Sequence, residues 1–269
     1  MKIRDNTRQA GIGLVEMMVV MLLGLVMLGG VGSLYLNFKK TYQIQKTQGE
    51  LQDGFRYAGT LLTGILRQAG YASMQVNGTL LSNKADVFTV NSVGTGNFTT
   101  VNQVVHGQQG TLTNVPVYAS DGSVSTLGSS PADRISIRFM GGTEIYRCLG
   151  GRANLTGAQY SATFRINSNY ELECVDEVVA GAPTETETDQ LLGETAGPAN
   201  ARTRMLGMTV WYGEDTNGDG SVDRYRRASS VSDWRRIISA RIDFLVQAGL
   251  LAPKRISYHV NFPNSPAAG

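Results

Sequence analysis

One carboxylate, Glu16, stands at the mouth of a twenty-residue run, Met17–Leu36 (MMVVMLLGLVMLGGVGSLYL), that carries no charge and no Asn or Gln. No basic residue lies within a helical turn of it. A charge centred in lipid costs roughly 2.5–3.5 kcal/mol on insertion scales, so an acid placed here requires a cationic partner. Gly11 and Ile12 can supply one. Cutting the chain after Gly11 gives Ile12 a cationic α-amino group and makes Glu16 the fifth residue. That places the carboxylate in the first turn of a helix, whose positive dipole end favours it. Both charges are best compensated when the amine of one copy meets Glu16 of the next.

A second set of oxygen donors lies at Asp215-Thr216-Asn217-Gly218-Asp219-Gly220-Ser221-Val222-Asp223. Oxygen-bearing residues at loop positions 1, 3, 5, 7 and 9, with Gly at 6, match the ligand spacing of an EF-hand-type calcium loop. Arg226 occupies position 12, where that loop needs a bidentate Glu. A calcium ion could be held weakly by Asp215, Asn217, Asp219 and Asp223 with the Ser221 carbonyl. The same composition equally fits a hairpin turn between strands. The two cysteines, Cys148 and Cys174, form no Cys-x-x-Cys pair and lie far from His106 and His259 in sequence, which removes the usual zinc and redox signatures. A structural disulfide closing a loop of about 27 residues would contribute roughly 3–4 kcal/mol in an oxidising compartment. Two buried thiols are the alternative. No nucleophile elbow, phosphate-binding loop or His-Glu-x-x-His is present, so nothing in the sequence argues for an enzyme.

These groups need elements to hold them. A polar, basic leader (1–11) precedes the segment expected to cross the membrane and serve assembly (12–38), and residues 39–269 are expected to form a periplasmic head. The apolar run is about 30 Å long as a helix, enough to cross a bilayer. Lys2, Arg4 and Arg8 favour a cytoplasmic start, and Lys39, Lys40 and Lys46 beyond the run work against it. Helical periodicity then continues through Leu51, Phe55, Ala58, Leu62, Ile65 and Ala69, with Gly70 as a stop. One helix from Ile12 to Ala69 would be roughly 87 Å long. Strand-like runs follow at Arg134–Phe139, Glu144–Leu149, Ala162–Ile166, Tyr170–Val175, Met205–Tyr212, Ile237–Val246 and Arg255–Phe262. Ala119–Asp133 and Ala180–Asn200 read as exposed loops. A long helix followed by strands indicates α+β, an antiparallel sheet packed on the helix. The chain from Ile12 onward has 21 basic and 21 acidic residues, which offers no electrostatic footprint for nucleic acid.

Gly11, Ile12 and Glu16 resemble, position by position, the type III signal of type IV prepilins and pseudopilins. Ile12 stands where Phe is commonest and Gly13 where Thr or Ser is usual. With GIGLVE, the segments LQDGFRYAGTLLTGILRQAGY (51–71) and VWYGEDTNGDGSVDRY (210–225) resemble the PilW family of minor pilins, related to GspJ-type pseudopilins. The resemblance implies removal of the leader by prepilin peptidase between Gly11 and Ile12, N-methylation of Ile12, and docking through Glu16. Its partners would be other minor pilins and the major pilin, first in the inner membrane and then in the pilus, with no required cofactor. The role implied is priming of fibre assembly near the tip, supporting twitching motility or adhesion. A type II secretion pseudopilin has the same physics. A reading from another class is a secreted calcium-dependent binding or hydrolytic domain with an ordinary signal peptide cut after Ser33. An unprocessed signal anchor also fits the apolar run, and neither of the last two explains Glu16.

Overall fold

The computed structural model describes residues 13–72, 75–76, 79–80, 88, 98–148, 150–153, 158–179, 185–193 and 202–266. The chain divides into two compact units, the first ending at Gly49 and the second running Glu50–Gly269. A single helix, α1 (Leu14–Leu66), contributes to both. In the first unit it has no core to join. Residues 13–46 are exposed along every face, including Leu14, Met21, Leu25, Met27 and Leu28 at 70% exposure or more. Soluble proteins do not present so long an apolar surface to water. The helix is long and apolar enough to cross a membrane, with a window of mean hydropathy 2.4.

In the second unit α1 becomes one-sided. Phe55, Ala58, Leu62, Ile65 and Leu66 are buried at the helical spacing expected from the sequence, and Leu51 is half-buried. The helix ends one turn before Ala69. Ala69 N–H donates to Leu66 O, and Gly70, at φ +75°, turns its N–H to Arg138 O at 2.9 Å. A side chain at Gly70 would meet both that left-handed backbone and the carbonyl of Asn264.

The strands are β1 (Gln75–Val76), β2 (Thr79–Leu80), β3 (Val105–Gln108), β4 (Thr111–Tyr118), β5 (Val124–Pro131), β6 (Arg134–Met140), β7 (Gln159–Ile166), β8 (Leu172–Val179), β9 (Glu185–Leu192), β10 (Thr203–Glu214), β11 (Arg224–Arg226), β12 (Ile237–Ala248) and β13 (Lys254–Asn261). They form a five-stranded sheet, β3-β6-β7-β8-β9, a four-stranded sheet, β11-β10-β12-β13, and the two-stranded pairs β1-β2 and β4-β5, with every ladder antiparallel. Apolar side chains from the helix stripe and both large sheets meet in one core, among them Leu62, Leu66, Ile137, Phe164, Tyr212 and Phe244. The fold is therefore α+β and pilin-like, a long apolar N-terminal helix followed by antiparallel sheets.

Three expectations are corrected. The expected strand Glu144–Leu149 does not form over 144–148, where the segment turns, with a lone bridge between Tyr146 and Arg152, because the Gln68 amide grips both backbone groups of Tyr146 (2.9 and 3.1 Å); Leu149 lies outside the described residues. Ala119–Asp133 is a hairpin arm rather than a loop. Residues 124–129 of β5 are all exposed, so no period-2 alternation marks them in the sequence. Within Ala180–Asn200, Glu185–Leu192 is strand β9, again exposed at 186–190, while 180–184 and 194–200 lie outside the described residues.

Close approach of α1 to β13 depends on Gly59. A Cβ there would fall inside the ring of Tyr258, whose hydroxyl donates to Phe55 O at 2.7 Å. Gly59→Ala is expected to destabilise the head by about 1–3 kcal/mol despite its better helix propensity, because the ring must leave its seat. Thermal melts of wild type and Gly59→Ala check this, and an unchanged or raised melting temperature would refute it.

Candidate functional site

Glu16 lies exposed in the first turn of α1, where its N–H donates to Gly13 O at 3.0 Å. The helix it opens presents Met17, Met18, Val19, Val20, Met21 and Leu22 to the surroundings, each more than half exposed. A carboxylate is thereby held where the backbone N–H groups of the helix start stabilise it and where the flanking side chains accept only lipid or another apolar helix. Gly11 and Ile12 lie outside the described residues, so the structure places the acid of the expected pair and not the amine.

Cys148 and Cys174 are joined as a disulfide, with Cα atoms 6.3 Å apart. The bond ties the turn after β6 to β8. Arg147, next in sequence, reaches Glu187 on β9 at 2.9 Å and lies 3.6 Å from Asp176 on β8. Cys148, Cys174 and Asp176 are the one set of metal-ligating types that gathers within ligand distance among the described residues, and the two sulfurs are spent on each other.

Asp215, Asn217, Asp219, Ser221 and Asp223 lie on the connection between β10 and β11. The carboxylates of Asp215, Asp219 and Asp223 do not gather as a ligand set. Each serves the loop itself. Asp215 accepts from Gly218 N–H and Gly220 N–H (2.6 and 2.8 Å), Asn217 Oδ1 from Asp219 N–H, Asp219 Oδ1 from Ser221 N–H, and Asp223 from Thr216 N–H at 2.7 Å. Burial works to raise the Asp215 carboxyl, but the N–H groups of Gly220, Gly218 and Asp219 together hold it below the ordinary range.

Two family descriptions match the chain, at its start and in its head. Residues 6–32 match the prokaryotic N-terminal methylation motif, and residues 184–257 match Type IV Pilus-assembly protein W. The first match contains Glu16 and most of the apolar run; the second spans β9 to β12 and the Asp215 loop. The two matches together support a type IV pilin of the PilW family. No curated protein and no solved structure gives a significant match. The methylation motif with its apolar helix fits anchoring in the inner membrane and assembly into a pilus.

Within the pilin's head, the residues that join the two large sheets are ones the sequence reading passed over. Asp133, 1% exposed, immediately precedes β6 and reaches β10: its carboxylate accepts from Val210 N–H at 2.8 Å and from the Arg227 guanidinium at 2.8 and 2.9 Å. Burial pushes the Asp133 carboxyl up, and the Val210 N–H and Arg227 partly offset that. Arg227 also stands 5.4 Å from the centre of the Trp211 ring.

His106, expected to be an ordinary surface or core residue, packs against Trp234 with ring centres 4.9 Å apart. Its tautomer follows from Gln103, whose Oε1 accepts from Thr99 N–H, Thr100 N–H and the Thr100 hydroxyl. The amide nitrogen must then donate, to Val105 O and to His106 Nδ1 at 3.0 Å. A proton on Nδ1 would set one donor against another. Burial, with Arg134 nearby, accordingly pushes the His106 pKa down to about 4. With the folded pKa below the unfolded value of 6.5, the unfolded chain binds the proton first, so this residue's contribution is lost as pH falls from about 6.5 towards 4. For a ring partly open to solvent the loss is on the order of 1–2 kcal/mol. Urea unfolding at pH 7 and pH 4.5 checks it, with His106→Gln expected to lose less stability than wild type over this interval. Equal pH dependence in both proteins would count against the assignment.

Proposed function

We propose that the pilin is a minor subunit that primes pilus assembly and sits in the tip complex, supporting twitching motility or adhesion. Glu16 at the head of an apolar helix that is exposed on every face through residue 46 carries this reading. Prepilin peptidase cuts between Gly11 and Ile12, Ile12 is N-methylated, and its amine pairs with Glu16 of a neighbouring subunit while the apolar helices bury one another. The neighbours are other minor pilins and the major pilin. The chain works by assembly rather than catalysis, with no cofactor required.

A deletion strain tests the role. Loss of surface pili and of twitching, with secretion of exoproteins intact, is the expected result. Normal piliation with failed exoprotein secretion would replace it with a secretion pseudopilin.

A further inference from the structure

The neutral mature chain hides a segregation of charge. Residues 141–201 contain nine acidic and three basic residues, whereas 202–269 contain ten basic and six acidic. The segregation reaches the outermost strands. β9 ends the five-stranded sheet and carries Glu185, Glu187 and Asp189 with no basic residue; β13 ends the four-stranded sheet and carries Lys254, Arg255 and His259 with no acidic one. Both strands are laid open. Residues 186–190 are exposed without interruption, as are Lys254, Arg255, Ser257, His259 and Asn261, and among the described residues no further strand pairs with either outer edge.

An exposed strand edge is a template for another strand, and charge is the usual device that controls which one. Two acidic β9 edges repel each other, and so do two basic β13 edges. A β9 edge and a β13 edge attract. We propose that β9 of one copy of this chain pairs with β13 of a second copy, a head-to-tail contact that continues one sheet into the next. Among antiparallel registers, the kind every ladder of the head uses, charge favours the one with Asp189 opposite Arg255, which also sets Glu187 opposite Ser257, Glu185 opposite His259 and Gln190 opposite Lys254. Directly opposed residues in such a ladder lie on one face, where unlike charges favour pairing and like charges oppose it. Glu187 already meets Arg147 at 2.9 Å, so Asp189 carries the main attraction. A contact between two different surfaces does not close on itself in a dimer; it leaves one β9 edge and one β13 edge open. The proposal uses the pilin reading only for its setting, since the contact requires neither leader removal nor Glu16.

The test uses the full chain in detergent, as wild type, Asp189→Arg, Arg255→Asp and the double reversal, with mass from light scattering at low and high salt. Wild type is expected to form concentration-dependent multimers that high salt dissolves. Each single reversal should weaken association by about tenfold or more, and the double reversal should restore it. Association through the apolar helix is indifferent to charge at 189 and 255, so it cannot reproduce this pattern. Singles that associate like wild type, a double reversal without rescue, or a wild type that stays monomeric when concentrated would each overturn the contact. The intact mass of the same preparation reports leader removal separately, so failure of the contact and failure of the pilin reading are distinguishable.

Discussion

Glu16→Ala is expected to leave leader removal intact and to cut incorporation of the pilin into fibres by about a hundredfold. The magnitude follows from the charge left behind. Without the carboxylate, the α-amine of Ile12 on a neighbouring subunit enters an apolar helix bundle alone, and a lone charge there costs roughly 2.5–3.5 kcal/mol, or about two decades in an equilibrium constant. Alanine itself is a better helix former than Glu and removes a charge from the membrane, so the variant subunit should be stable and fully inserted. Immunoblots of sheared fibres against membranes measure the ratio. Glu16→Asp keeps the charge on a shorter arm and should fall between the two. Wild-type amounts of the Ala variant in fibres would remove Glu16 from docking.

The largest expected loss of stability comes from Asp133→Ala, at about 3 kcal/mol. Asp133 is the acceptor for Arg227 and for Val210 N–H, and its own N–H donates to Met208 O at 2.9 Å, so one residue fastens the start of β6 to β10. Truncation leaves a partly buried guanidinium without its carboxylate, which is where the energy goes. For a head of this size the melting temperature should drop by about 6–12 °C. Asp133→Ala combined with Arg227→Met should cost less than Asp133→Ala alone, because no charge is then stranded. Costs that simply add would show that the pair is not coupled.

The parts of this molecule that were legible in the sequence are those with a period or a spacing. The stripe from Phe55 to Ile65 packs one face of α1 on the core, β6, β7, β10 and β12 are buried along most of their length, and β13 alternates; that burial writes itself into residue choice, while the apolar run is marked by its length and lack of charge. Strands β5 and β9, read as loops from the sequence, are exposed along most of their length, so nothing selects alternation in them. Each pairs with the strand that precedes it, β4 or β8, and that pairing leaves no apolar pattern of its own. Conversely residues 144–148 have a strand-like composition but are held as a turn by the Gln68 amide and the Cys148 disulfide, constraints that come from 78 and 26 residues away. The junction at Asp133 was invisible for the same reason: an Asp at the end of a polar stretch reads as loop until Arg227 and Val210 arrive. Spacing exposed Glu16 because its chemistry is local. Its position relative to Gly11 and to the apolar run needs no tertiary information.

The whole account turns on a new amino terminus four residues before Glu16, and intact-mass measurement on the pilin purified from its own membranes tests that directly. A chain lacking residues 1–11 and carrying one added methyl group on Ile12 is the expected result. A chain that retains the leader, or one that begins at Leu34, would contradict it, since neither has an amine where Glu16 could meet it.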